Sequence, residues 1–159
     1  MADNTAKIQV GAEKLIGAPA PVVYRIIADY REHHPNILPP AFSNLTVDEG
    51  GIGEGTAIQF DLRVGGQKRH MQARVEEPEP GRVLQERYLE SGGVTIFEVI
   101  PAGTSSQVRI RTESPARGGI QGWIERRLAP RMLHQLYVDE LDNLDRYARQ
   151  QAADVAPSS

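Results

Sequence analysis

The sequence predicts an α+β protein: a curved antiparallel sheet of seven strands wrapped around one long C-terminal helix, with two short helices between the first and second strands. Three observations lead there. From Phe42 to Glu113 apolar and polar residues alternate in short runs, separated by glycine- and proline-rich breaks. Beyond Gly119 the period becomes helical, with Ile120, Ile124, Leu128, Met132, Leu136, Tyr137, Leu141, Leu144 and Ala148 on one face. Arg126, Arg127, Arg131, Asp139, Asp142, Asp145 and Arg149 fall between them, so the helix has an apolar face and a charged one. A second helical signal stands near the N-terminus, directly after a lone strand.

Lys7 to Ile16 reads as that first strand. Ala18-Pro19-Ala20-Pro21 opens the helix, because a first turn leaves backbone N–H groups unpaired and proline has none to waste. The helix is expected over Ala20–Asp29, with Val23, Ile26, Ile27 and Tyr30 on its buried side. His33-His34-Pro35 forms a turn or short helix, and Pro39 and Pro40 keep the next segment irregular.

Strands follow at about Phe42–Glu49, Thr56–Val64, Gln67–Glu77, Val83–Leu89, Val94–Ile100 and Ser106–Glu113. Gly65-Gly66 between two alternating runs is a tight hairpin signal, since both central residues of such turns need positive φ. Alternation places Ile58, Phe60 and Leu62, Met71, Ala73 and Val75, and Val108 and Ile110 on one face. Both faces of the Val83 and Val94 strands carry bulk; Leu84, Glu86, Tyr88, Thr95, Phe97 and Val99 are taken as inward. The final helix runs from Gly119 to about Gln150, roughly 45 Å if straight, with a bend expected at Pro130. Residues 6–150 form one domain, flanked by disordered segments at 1–5 and 151–159.

Composition narrows the function classes. The 159 residues are 40% hydrophobic and 25% charged, carry a net charge of −3 and include no cysteine. Disulfides and cysteine-ligated metal sites are excluded, and no apolar run approaches a membrane span of roughly twenty residues. The acidic balance argues against nucleic acid as a partner; the adjacent basic pairs Lys68-Arg69 and Arg126-Arg127 read as solvated surface. Met1 to Thr5 lacks the basic and apolar blocks of a signal peptide, so a cytoplasmic protein is expected.

A long helix laid across a strongly twisted sheet cannot touch all of it, which leaves either a filled core or a cavity. The glycine runs Gly50–Gly55 and Gly118-Gly119 are expected to keep the loops at one end mobile. Order and residues together resemble the helix-grip superfamily of START domains, birch-pollen allergen-like proteins and bacterial polyketide cyclases/dehydrases. The resemblance covers Lys7 to Arg149. It rests on Ile16-Gly17-Ala18-Pro19-Ala20-Pro21-Val22-Val23-Tyr24, Ile27-Ala28-Asp29-Tyr30-Arg31-Glu32-His33-His34-Pro35, Val75-Glu76-Glu77-Pro78-Glu79-Pro80-Gly81-Arg82 and Gly103-Thr104-Ser105-Ser106-Gln107-Val108. It implies a mostly apolar pocket between sheet and C-terminal helix, and it does not name the ligand.

Proton transfer beside a carbonyl needs a His, Glu, Asp or Tyr in a partly dry pocket. The catalytic candidates are Glu86, Tyr88 and His33. His33 and His34 sit in the turn that borders the pocket in the resembled fold; an exposed turn histidine is the bland alternative. Glu86, if inward, must find a partner or become a neutral acid, and a one-residue register slip would put it in water. His70 alternates with the apolar face and should lie outside; His134 reads as helix surface. Tyr24, Phe42, Phe60, Met71, Phe97, Trp123, Met132 and Tyr137 are the candidate ligand-binding wall, with Trp123 at its mouth. The adjacent histidines would point apart, so no metal is expected, and without a phosphate loop or dinucleotide fingerprint no cofactor is expected.

The leading expectation is a protein that binds a small hydrophobic molecule, a lipid, polyketide or isoprenoid. An enzyme of polyketide cyclase/dehydratase type and a protein-interaction or chaperone-type module with a protein partner are its two rivals. A carrier would tolerate Glu86→Gln and His33→Ala, an enzyme would lose turnover, and an interaction module would survive a blocked cavity.

Overall fold

The computed structural model describes residues 8–114 and 130–155. In chain order the elements are β1 (Ile8–Ile16), α1 (Ala20–Ala28), a 3₁₀ turn (His34–Asn36), β2 (Phe42–Glu49), β3 (Ala57–Val64), β4 (Gln67–Glu79), β5 (Val83–Tyr88), β6 (Val94–Ala102), β7 (Ser105–Ser114) and α2 (Pro130–Val155). The seven strands form one sheet in the order β1-β7-β6-β5-β4-β3-β2, every pair antiparallel. The first strand therefore closes against the last, and the rest is a meander of hairpins. This is the helix-grip arrangement.

Alternation sorts the two faces as the residue pattern requires. Ile58, Phe60, Leu62, Met71, Ala73, Val75, Val108 and Ile110 are all buried. In β5 and β6 the inward set is Leu84, Glu86 and Tyr88 with Thr95, Phe97 and Val99, all at most 8% exposed. Glu86 pairs with Thr95 across the ladder, so no register slip turns it outward. The Gly65-Gly66 turn has φ of 61° and 80°, the left-handed region its tight hairpin requires. His70 lies on the outer face between Asp61 and Gln59, and His134 is exposed with Nδ1 2.8 Å from the Gly11 carbonyl oxygen.

In α1 the Pro19 carbonyl accepts from the N–H groups of Val22 and Val23, and Pro21 occupies the first turn. The helix stops one residue earlier than expected, because Asp29 leaves helical geometry and its carboxylate accepts from the N–H groups of Arg31 and Glu32. Leu133, Leu136, Tyr137, Glu140, Leu141, Leu144 and Ala148 form the buried stripe of α2. That helix continues past Gln150 to Val155, so part of the expected disordered tail is helical. The described helix begins at Pro130; the bend expected there involves residues 115–129, which lie outside the described residues.

The Gly50–Gly55 loop departs from expectation. Rather than swinging free, it is fastened to the end of α1 and to β4. The N–H of Tyr30 donates to the Gly51 carbonyl, the N–H of Gly53 to the Ala28 carbonyl, and the Arg31 guanidinium to the Gly50 carbonyl. Glu54 and Glu77 each accept the other's backbone N–H, at 2.8 and 2.6 Å. Gly53 has φ 66°, and a Cβ there would meet the Glu77 carboxylate. Gly53→Ala is expected to cost about 1–3 kcal/mol through strain and the displaced carboxylate, read by chemical denaturation.

Candidate functional site

Between the sheet and α2 lies a cavity of about 40 Å³, space for roughly three water molecules at the minimum each needs. Phe42, Phe60, Leu62, Met71, Phe97 and Leu133 make part of its apolar wall, and two groups of polar side chains also line it. Each polar group has its own logic.

The first group spans the end of α1, β5 and α2. Tyr30 and His34 follow each other by four residues around the turn after α1, and their rings stack with centroids 4.3 Å apart. The Tyr30 hydroxyl donates to Glu86 Oε2 at 2.6 Å. His34 Nδ1 lies 2.7 Å from the Ile27 carbonyl oxygen, which can only accept, so Nδ1 carries the proton. The neutral ring then presents the Nε2 lone pair to two carboxyls, Glu86 Oε2 at 4.0 Å and Glu140 Oε2 at 3.9 Å. Burial lowers the His34 pKa to about 4, so the ring stays uncharged. Burial raises Glu86 to about 7, against a smaller opposing effect of the Tyr30 hydrogen bond. Burial, then the neighbouring Glu86, pushes Glu140 well above the ordinary carboxyl range.

The second group is a ladder of hydroxyls across β5, β6, β7 and α2. Tyr88 meets Thr95 at 2.6 Å, Thr95 meets Thr112 at 2.8 Å, and Thr112 meets the Tyr137 hydroxyl. Three links use three of the four hydroxyl hydrogens, so one end of the chain keeps a hydrogen for something else. Desolvation holds Tyr88 and Tyr137 as neutral phenols, with pKa values raised above the ordinary value. Thr112→Val would take the partner of the buried Tyr137 hydroxyl and one of the two partners of Thr95, and is expected to destabilise by about 1–3 kcal/mol in denaturant titration, with Thr112→Ser close to wild type.

Of the sequence-derived candidates, Glu86, Tyr88, Phe42, Phe60, Met71, Phe97 and Tyr137 all line this cavity. His33 does not. It is buried against α2, with Nδ1 2.7 Å from the Tyr147 hydroxyl, because neighbours in the turn diverge and His34 takes the inward place. Tyr24 faces the other side of α1, where its hydroxyl donates to Glu77 Oε2 at 2.7 Å. Met132 is 40% exposed: the buried stripe of α2 passes through Leu133 and leaves Met132 on the water side. Trp123 lies outside the described residues. Tyr30, Thr95, Thr112 and Glu140 join the cavity without having been singled out as candidates. Glu140 had a signal, as an acid within the apolar spacing between Leu136 and Leu144.

No cluster of three or more metal-ligating side chains exists among the described residues. No helix among them is long and apolar enough to cross a membrane.

Comparison with known proteins agrees with this geometry. No curated protein matches the chain. Among solved structures, the KanY protein is 30% identical over 91% of this chain and 99% of its own, with a TM-score of 0.79. TTHA0849 from Thermus thermophilus is 19% identical over 91% and 99%, with a TM-score of 0.74. The Zhui aromatase/cyclase from Streptomyces sp. R1128 is 17% identical over 91% and 95%, with a TM-score of 0.70. The last two share the fold. The family described as polyketide cyclase/dehydrase and lipid transport matches residues 7–149, nearly the whole chain, and this protein belongs to that family.

Proposed function

We propose that the protein binds a small, mostly apolar molecule with one polar end in the cavity between the sheet and α2. The observation that carries this is the composition of the cavity wall: aliphatic and aromatic side chains on most of it, and two groups of buried polar side chains, Tyr30–Glu86–His34–Glu140 and Tyr88–Thr95–Thr112–Tyr137. Such a wall orients a ligand by its polar end and holds the rest by burial. The small free volume favours a compact ligand over a long acyl chain.

The test is native mass spectrometry of protein isolated from its own host, followed by denaturing extraction of whatever travels with it. A stoichiometric small molecule supports the reading. An empty protein that also ignores a panel of hydrophobic dyes argues against it.

One observation favours a second reading, an enzyme of cyclase or dehydratase type. Glu86 has a pKa near 7 and faces a neutral imidazole, which suits a group that both gives and takes a proton. In that reading Glu86 is the acid and base and Tyr88 orients a carbonyl. Glu86→Gln would then abolish turnover while ligand affinity survives; if turnover of the extracted ligand survives as well, the enzyme reading falls.

A further inference from the structure

The cavity holds two buried carboxyls and no cation. Glu140 is 3% exposed, lines the cavity and makes no hydrogen bond among the described residues; His34 Nε2 lies 3.9 Å from its Oε2. A gap of that length between polar atoms is too long for a hydrogen bond and invites a bridging group. Glu86 Oε2 stands 4.0 Å from the same nitrogen. The imidazole lone pair thus has two carboxyl oxygens about 4 Å away, one from β5 and one from α2. Acceptors about 2.8 Å from one donor atom and in line with bonds about 109° apart are ~4.6 Å from one another, so separations near 4 Å are bridged by somewhat bent hydrogen bonds.

The bridging atom must donate to all three. Water has two hydrogens to give, whereas a primary ammonium has three, and its charge would favour the ionised form of the two buried carboxyls that face it. The described residues lining the cavity include no lysine or arginine, and the Ile27 carbonyl holds the proton of His34 on Nδ1, away from this point. We propose that this end of the cavity binds the protonated amino group of a small aliphatic amine, with Glu140 as its ionic anchor and Glu86 and His34 as the other two acceptors.

This rests on the cavity being a ligand site, and the experiment separates the two. Isobutylamine, isobutyl alcohol and isovalerate share one branched apolar body and differ in the polar end. Each is titrated at neutral pH while the Met71 methyl resonance in the cavity wall is followed by NMR. The amine should bind at least about tenfold more tightly than the alcohol, and isovalerate should not bind, since a buried charge needs its opposite. Glu140→Gln should bring the amine down to the level of the alcohol, and Glu86→Gln should weaken the amine alone.

If the alcohol equals or exceeds the amine, or the preference survives in Glu140→Gln, the amine site is refuted while the cavity stands. If none of the three compounds moves Met71, the cavity reading falls and the inference with it. Should either variant fail to fold, the wild-type series decides alone.

Discussion

Glu86→Gln is expected to stabilise the protein by about 3 kcal/mol at pH 8 and to change it little at pH 4, a gain of roughly 6–12 °C in melting temperature at the higher pH. The folded-state pKa of Glu86 is about 7 against an ordinary 4.5, raised because the carboxyl is buried. Below pH 4.5 both folded and unfolded chains hold the proton, and nothing is lost. Between 4.5 and 7 the unfolded chain releases it and the folded chain does not, so stability falls with rising pH by about 1.4 kcal/mol per unit. Above 7 the loss is complete. Glutamine keeps an oxygen for the Tyr30 hydroxyl and cannot ionise, so this slope disappears.

Glu140 adds a slope of the same sign, since its carboxyl is also raised. His34 has the opposite one. Its pKa falls from 6.5 to about 4 on burial, so its contribution is intact above 6.5 and is lost as pH drops toward 4. From 4.5 to 6.5 Glu86 and His34 cancel proton for proton, and Glu140 decides the net direction. Melting temperatures of wild type, Glu86→Gln and Glu140→Gln from pH 4 to 9 would check this. A Glu86→Gln curve parallel to wild type would mean that Glu86 is not buried.

Phe97→Ala is expected to cost about 3–5 kcal/mol, a large share of the 5–15 kcal/mol that a domain typically has. Phe97 is 2% exposed at the middle of β6, edge-on to the His34 ring with centroids 5.8 Å apart. Its removal takes a ring from the cavity wall and leaves space that the paired strands cannot close. The same change should enlarge the cavity, so the variant should bind larger hydrophobic dyes than wild type while unfolding at lower denaturant. Phe97→Leu should lose less than half as much. If Phe97→Ala were nearly neutral, the core would not be centred on β6.

The meander and the apolar face of β3, β4 and β7 are legible in the sequence, whereas β5 and β6 carry bulk on both faces and the Glu86–Thr95 pairing of the folded sheet settles Glu86 as inward. Period-two alternation is a local property, and Glu86 between Leu84 and Tyr88 announces its side once the register is set. Choosing between His33 and His34 was beyond local pattern. Both stand in a turn without periodicity, and their partners lie elsewhere in the fold: the His34 ring bonds the Ile27 carbonyl and stacks on Tyr30, whereas the His33 ring meets the Tyr147 hydroxyl of α2. The loop at Gly50–Gly55 misled for a related reason: six residues rich in glycine look free until tertiary partners such as Ala28 and Glu77 claim their N–H groups.

By itself, then, the order of residues determined the architecture and the buried face of the strands that alternate cleanly, because these follow from hydrophobic periods and turn chemistry within a few residues. Only tertiary structure decided which polar groups meet. Glu86 and Glu140 are far apart in sequence and come to the same imidazole because β5 and α2 both face the turn after α1 across the cavity. Their shifted pKa values are products of that meeting and of shared burial, properties that no single stretch of chain possesses.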